Sequence, residues 1–168
     1  MHYSYGKTNL SFTGPIATTI TVTNTAITIT FEGGALPLAF RDAASGQTDP
    51  DDTSRGFELQ LGQPAQLESD PPGVNILQDT PWVKATGATI NGNEVTIPLP
   101  TSQSHGGAVQ VMGVRYAWSD VPRSQLLYDA TPLTANMFGL PAPPFLANCS
   151  GVLPHIKCAM VPFGQVRG

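Results

Sequence analysis

One short run constrains this chain more than any other, Gly113-Val114-Arg115-Tyr116-Ala117-Trp118-Ser119-Asp120-Val121-Pro122. Val114, Tyr116 and Trp118 alternate with Arg115, Ala117 and Ser119, a period of two that puts successive side chains on opposite faces of a half-buried strand. Val121-Pro122 then ends the ladder, because proline has no N–H to give and holds the residue before it extended. The expectation is a strand that leaves the core, fed by Val109-Gln110-Val111-Met112, and turns sharply at Pro122.

The same alternation recurs upstream. Between Thr18 and Phe31, Ile20 and Val22 share one face and Ile27, Ile29 and Phe31 resume the period in shifted register. The shift falls at Thr23-Asn24-Thr25-Ala26, where Asn24 tolerates the positive φ of a tight hairpin turn. Leu36-Pro37-Leu38-Ala39-Phe40 reads as a short edge-like run and Gly56 to Leu61 as a strand. Trp82 to Ile90 leads through Asn91-Gly92, a type I′ turn dipeptide, into Val95-Thr96-Ile97. No apolar stripe at helical spacing appears. With 17 glycines, 16 prolines and only 12% charged residues, the chain reads as all-β: an antiparallel β-sandwich-like domain with long irregular loops. The strand spacing suggests about seven to nine short strands.

A chain of 168 residues suits one domain and can bury a core without a metal or a disulfide. Residues 1–15 read as an N-terminal segment, 16–147 as the sandwich, and 148–168 as an irregular tail. A net charge of −4 with no basic cluster leaves nucleic acid and anionic membranes without an electrostatic footprint, so neither is expected as a partner. There is no apolar run of about 18 residues, the length a spanning helix needs. Met1 to Tyr5 opens no apolar stretch of the signal-peptide kind. The two cysteines, Cys149 and Cys158, can close a small loop in an oxidising compartment and are too few for a zinc site. Asn9-Leu10-Ser11 and Asn148-Cys149-Ser150 are candidate N-glycosylation sequons, usable only in a secretory context.

The run around Tyr116 also carries a resemblance. Val114-Arg115-Tyr116-Ala117-Trp118, Asp120-Val121-Pro122, Leu127-Tyr128 and Gly139-Leu140-Pro141-Ala142-Pro143-Pro144-Phe145 are similar in order to the C-terminal end of sialate O-acetylesterases. Gly14-Pro15-Ile16, Gly56-Phe57-Glu58-Leu59, Trp82-Val83-Lys84-Ala85 and Ile90 to Ile97 fall in the same order, so the likeness spans roughly residues 3 to 147. Two stretches depart from the pattern, a longer connection at 62–80 and an interruption at 131–138.

The resemblance implies the accessory β region of a carboxylic-ester hydrolase that removes O-acetyl groups from sialic acids. Its partners would be the hydrolase domain of the parent chain and O-acetylated sialoglycans, and its setting secreted or lysosomal. Tyr5-Gly6 resembles the end of that hydrolase domain, so the chain is expected to start just after it. The family's hydrolase domain looks like an SGNH-type fold with an early serine and a late Asp-x-x-His. This chain has no Gly-Asp-Ser or Gly-Gln-Ser block, and none of its three histidines follows an aspartate by three places. No catalytic residue, cofactor or metal is therefore expected, and a free carbohydrate-binding sandwich is the alternative.

Several residues still warrant a chemical reading. Ser104-His105 lies in a Ser/Gly loop, but neighbours on an extended segment point apart, so a solvent-exposed histidine is the plainer reading. His155, between Pro154 and Ile156, is expected to pack, and His2 is terminal. Asp49-Pro50-Asp51-Asp52 gathers oxygen ligands without the spacing or closing glutamate of an EF-hand, and reads as a surface loop. Arg115 faces away from the core aromatics; an ion pair with Asp120 or Asp129 is the plainer reading, and a salt bridge to a neighbouring domain or contact with a sugar carboxylate the sharper one. Tyr116, Trp118 and Trp82 are expected in the core, with a sugar-stacking platform as the alternative.

Overall fold

The structure is a computed structural model that describes residues 14–34, 36–41, 52–62, 81–100, 110–118, 126–129, 139–151 and 153–162. Eleven strands lie within them: β1 (Ile16–Val22), β2 (Ala26–Glu32), β3 (Leu38–Arg41), β4 (Phe57–Gly62), β5 (Trp82–Lys84), β6 (Thr89–Asn91), β7 (Glu94–Pro98), β8 (Gln110–Tyr116), β9 (Leu126–Asp129), β10 (Phe145–Ser150) and β11 (Lys157–Met160). That exceeds the seven to nine expected, because short edge strands such as β5 and β9 are too brief to show a period. One sheet has the order β1-β2-β7-β6 and a second β11-β10-β8-β4-β5, with β3-β9 as a separate pair. Each strand pairing is antiparallel.

The two larger sheets share one core. Ile27, Ile29 and Ile97 from the four-stranded sheet are fully buried in one cluster with Phe57, Val114 and Tyr116 from the five-stranded sheet. This is the sandwich arrangement in which two inner faces interdigitate. The strand around Tyr116 is central in the literal sense, since β8 lies between β10 and β4.

Two bulges interrupt the alternation. Gln60 pairs with Gly113 and Leu61 with Val111, so Met112 is one residue too many on β8. The extra residue changes parity. Val111 and Val114, three apart, both reach the core and are fully buried. A second shift between Ala17 and Thr19 leaves Thr18 unpaired in the ladder, its Oγ1 donating to Thr30 O at 3.3 Å. Ile16, beyond that bulge, is 45% exposed although strict alternation from Ile20 would turn it inward.

The turns differ from the sequence expectation in detail. Asn91 pairs with Glu94, so the two-residue loop is Gly92-Asn93 rather than Asn91-Gly92. Gly92 has φ 62°, and Asn93 is not among the positive-φ residues. A positive φ at the first loop position alone is the type II′ pattern, which demands glycine there. Asn24 likewise avoids positive φ. The β1–β2 turn is instead closed by Thr23, whose Oγ1 accepts from Ala26 N at 3.1 Å while its N–H donates to Ala26 O at 2.9 Å.

β8 ends at Tyr116, short of Pro122. Ala117 sits at φ 51° and donates its N–H to Gly56 O at 2.9 Å, so the alternation stops before Trp118. Residues 148–168 are also not an irregular tail throughout: β10 runs to Ser150, and β11 returns beside it with Cys149 opposite Cys158. The sulfurs of that pair are bonded.

Candidate functional site

The outer face of the five-stranded sheet carries a polar group built from three strands. Lys84 on β5, Glu58 on β4 and Arg115 on β8 form one cross-strand row, and Trp82, Gln60 and Gly113 form the next. Residues directly opposite on antiparallel strands share a face at close range. Glu58 thus lies between two cations. Arg115 Nε donates to Glu58 Oε2 at 2.6 Å, and the Arg115 guanidinium carbon stands 4.4 Å from the Trp82 ring centroid. The side chains of Arg115 and Glu58 are only 20% and 26% exposed. A planar, delocalised cation held by a carboxylate and an aromatic ring is an arrangement that lysine would not reproduce.

Trp82 lies across β4. Its Cη2 comes 2.8 Å from the point where a Cβ on Gly113 would stand, so position 113 accepts no side chain while the indole is there. The ring thereby covers Gln60, which is fully buried although it belongs to the outer face. At the corner of this face Lys84 Nζ bonds Asp52 Oδ2 at 2.7 Å, with Asp52 6% exposed and Lys84 63%. Burial alone would raise the Asp52 carboxyl. Hydrogen bonds from Lys84 and Ser54 outweigh that and hold it below its usual value.

The inner face of the same strands is aromatic. Phe57, Tyr116 and Phe145 form a cluster, with Phe57 and Tyr116 centroids 4.7 Å apart and Tyr116 stacked on Phe145 at 5.8 Å. Offset and tilted ring pairs of this kind add to the burial of their area. The Tyr116 hydroxyl accepts the Leu127 N–H at 2.7 Å, tying β9 to the main sheet. Burial pushes its pKa well above that of an ordinary tyrosine. Next to this tie, Asp129 accepts the Leu140 N–H through Oδ1 at 2.9 Å, and Ala142 N donates to Leu127 O at 2.9 Å. Leu127-Tyr128-Asp129 and Gly139 to Ala142, distant in sequence, are therefore one fastening.

Arg115 is ion-paired, but to Glu58 rather than to Asp129; Asp120 lies outside the described residues. Glu58 was legible as a partner, since Phe57-Glu58-Leu59 places it outward by the same alternation that places Arg115 outward. Tyr116 is in the core as expected. Trp82 and Trp118 are not: both are half-buried and stand outside the core cluster, Trp82 because β5 turns it onto the outer face and Trp118 because β8 has ended. His155 is exposed rather than packed, for the turn that precedes β11 presents it outward. Asn148 is exposed on β10. Asp52 faces a lysine and the turn at Ser54. His2, Asn9, Ser104, His105, Asp49 and Asp51 lie outside the described residues.

A family model described as the sialate O-acetylesterase C-terminal domain matches residues 16–149, from the first residue of β1 to the last but one of β10. The chain belongs to that family. Both faces of the sialate O-acetylesterase C-terminal domain described above, the Trp82–Arg115–Glu58 group and the Phe57–Tyr116–Phe145 cluster, fall within the matched span. Cys149 is its last residue, while Cys158 and β11 lie beyond it. Searches of curated proteins and of solved structures found no match.

Proposed function

We propose that this chain is the accessory β domain of a sialate O-acetylesterase-like carboxylic-ester hydrolase. In this reading it supports a hydrolase domain that removes O-acetyl groups from sialic acids and performs no acyl transfer itself. The observation that carries the reading is the family match over the whole central sandwich, 16–149, to a C-terminal domain. The state of Arg115 favours support over sugar binding. Its guanidinium charge is already matched by Glu58 at 2.6 Å and its face is stacked on Trp82, so a sugar carboxylate would compete with Glu58 for the same cation.

The test is hydrolysis of a chromogenic acetyl ester by the purified chain, beside a variant carrying Ser104→Ala and His105→Ala. The expected result is no hydrolysis above buffer by either protein, with activity restored only when a hydrolase domain of the family is present. Activity in the chain alone that disappears in the double variant would overturn the reading and place a site in the Ser/Gly loop.

A further inference from the structure

We propose that Asn148 carries an N-linked glycan whose first sugar rests against Trp82. Three observations on β10 converge. Asn148-Cys149-Ser150 has the acceptor pattern Asn-x-Ser. The strand alternates so that Ala147 and Cys149 are buried while Asn148 and Ser150 are exposed, which puts the acceptor amide and the sequon hydroxyl on the same, solvent side. The cross-strand neighbours of Asn148 are Gly113 on β8 and Ala159 on β11, the two smallest residue types. Neither direct register partner carries a side chain large enough to crowd the amide.

The disulfide is compatible with the compartment that such a modification needs. Its only two cysteines are joined. Disulfides form and persist in oxidising compartments, and eukaryotic secretory compartments also hold lipid-linked sugar donors. In the transfer, the Asn148 side-chain nitrogen bonds the anomeric carbon of a sugar carried on a lipid diphosphate. The bond from that carbon to the diphosphate oxygen breaks, the nitrogen gives up one proton to a base of the transferring enzyme, and the lipid diphosphate leaves.

The neighbouring surface suits the product. Gly113, beside Asn148, is the position over which the Trp82 indole projects. Register partners on antiparallel strands have Cβ positions about 5 Å apart, so the far edge of the indole is the first wall a sugar on Asn148 meets. The indole edge offers a sugar an apolar contact, and the Arg115 guanidinium stacked on the ring keeps it in place.

The experiment directs the full chain into the secretory pathway of a eukaryotic cell with a cleavable leader, and maps peptides after peptide N-glycosidase treatment in heavy-oxygen water. The expected result is heavy-labelled aspartate at position 148, lost in Ser150→Ala and kept in Ser150→Thr. An unmodified Asn148 in the secreted wild-type chain, or labelling that survives Ser150→Ala, overturns the glycan. For the contact, the glycan is trimmed to its first sugar and Tm compared with that of Asn148→Gln. A rise of a few degrees that vanishes in a Trp82→Ala background is expected. An equal rise in both backgrounds overturns the contact with Trp82.

Discussion

The two faces of β4 and β8 are made from alternate residues of the same strands, yet they are held by different physics. Inward, Phe57, Val114 and Tyr116 are fully buried and fill space that only apolar groups of their size can fill. Outward, Glu58 and Arg115 meet through a charge pair still a fifth to a quarter exposed. Dense packing gives each inner residue many weak contacts whose loss leaves a void. The outer pair gains Coulomb energy against water and salt that compete for the same charges. Stability is therefore concentrated on one side of the sheet and surface chemistry on the other.

The contrast is most easily broken at Phe57. It touches Phe40, Tyr116 and Phe145 and is fully buried, so Phe57→Ala should cost about 3–5 kcal/mol. The measure is the urea midpoint, and an effect as small as that of an outer-face substitution would dissolve the distinction. Tyr116→Phe sharpens it with a smaller loss of about 1–3 kcal/mol, since it keeps the ring and orphans the buried Leu127 N–H. This variant also has a pH signature. Burial raises the folded-state pKa of Tyr116 above the unfolded value of about 10, so its contribution is fully present below that pH and fades as pH rises further. Wild type should lose stability in alkali more steeply than Tyr116→Phe, as read from denaturation at several pH values. The smallest effect is expected on the outer face. A double-mutant cycle with Arg115→Met and Glu58→Gln should give a coupling of about 1 kcal/mol or less that shrinks with added salt. A coupling of several kcal/mol, insensitive to salt, would mean that this face is as structural as the core.

Much of the fold was readable because two-residue periodicity survives in a single strand. Val114 and Tyr116 pointed inward, Arg115 outward, and the β1–β2 hairpin turned between Val22 and Ala26, all from local alternation. The candidate site was only half readable. Arg115 stood out, but its partner sits 57 positions away on β4, and choosing Glu58 over Asp129 required knowing which strands are neighbours. Trp82 looks like a core residue in the sequence because a three-residue edge strand shows no period to contradict its apolar character. The C-terminal hairpin looks irregular in the sequence because β11 is four residues long and takes its order from β10 and the Cys149–Cys158 bond.

By itself, the sequence determined the class of the fold, the central strand and the family likeness, since each rests on the order and polarity of neighbouring residues. Only the tertiary structure decided the two bulges, the division into sheets, the Gly92-Asn93 turn and the meeting of Trp82, Arg115 and Glu58. The reason is physical. A strand's alternation is a property of its own backbone, whereas register, bulges and cross-strand partners depend on which distant segment supplies the other half of each hydrogen bond.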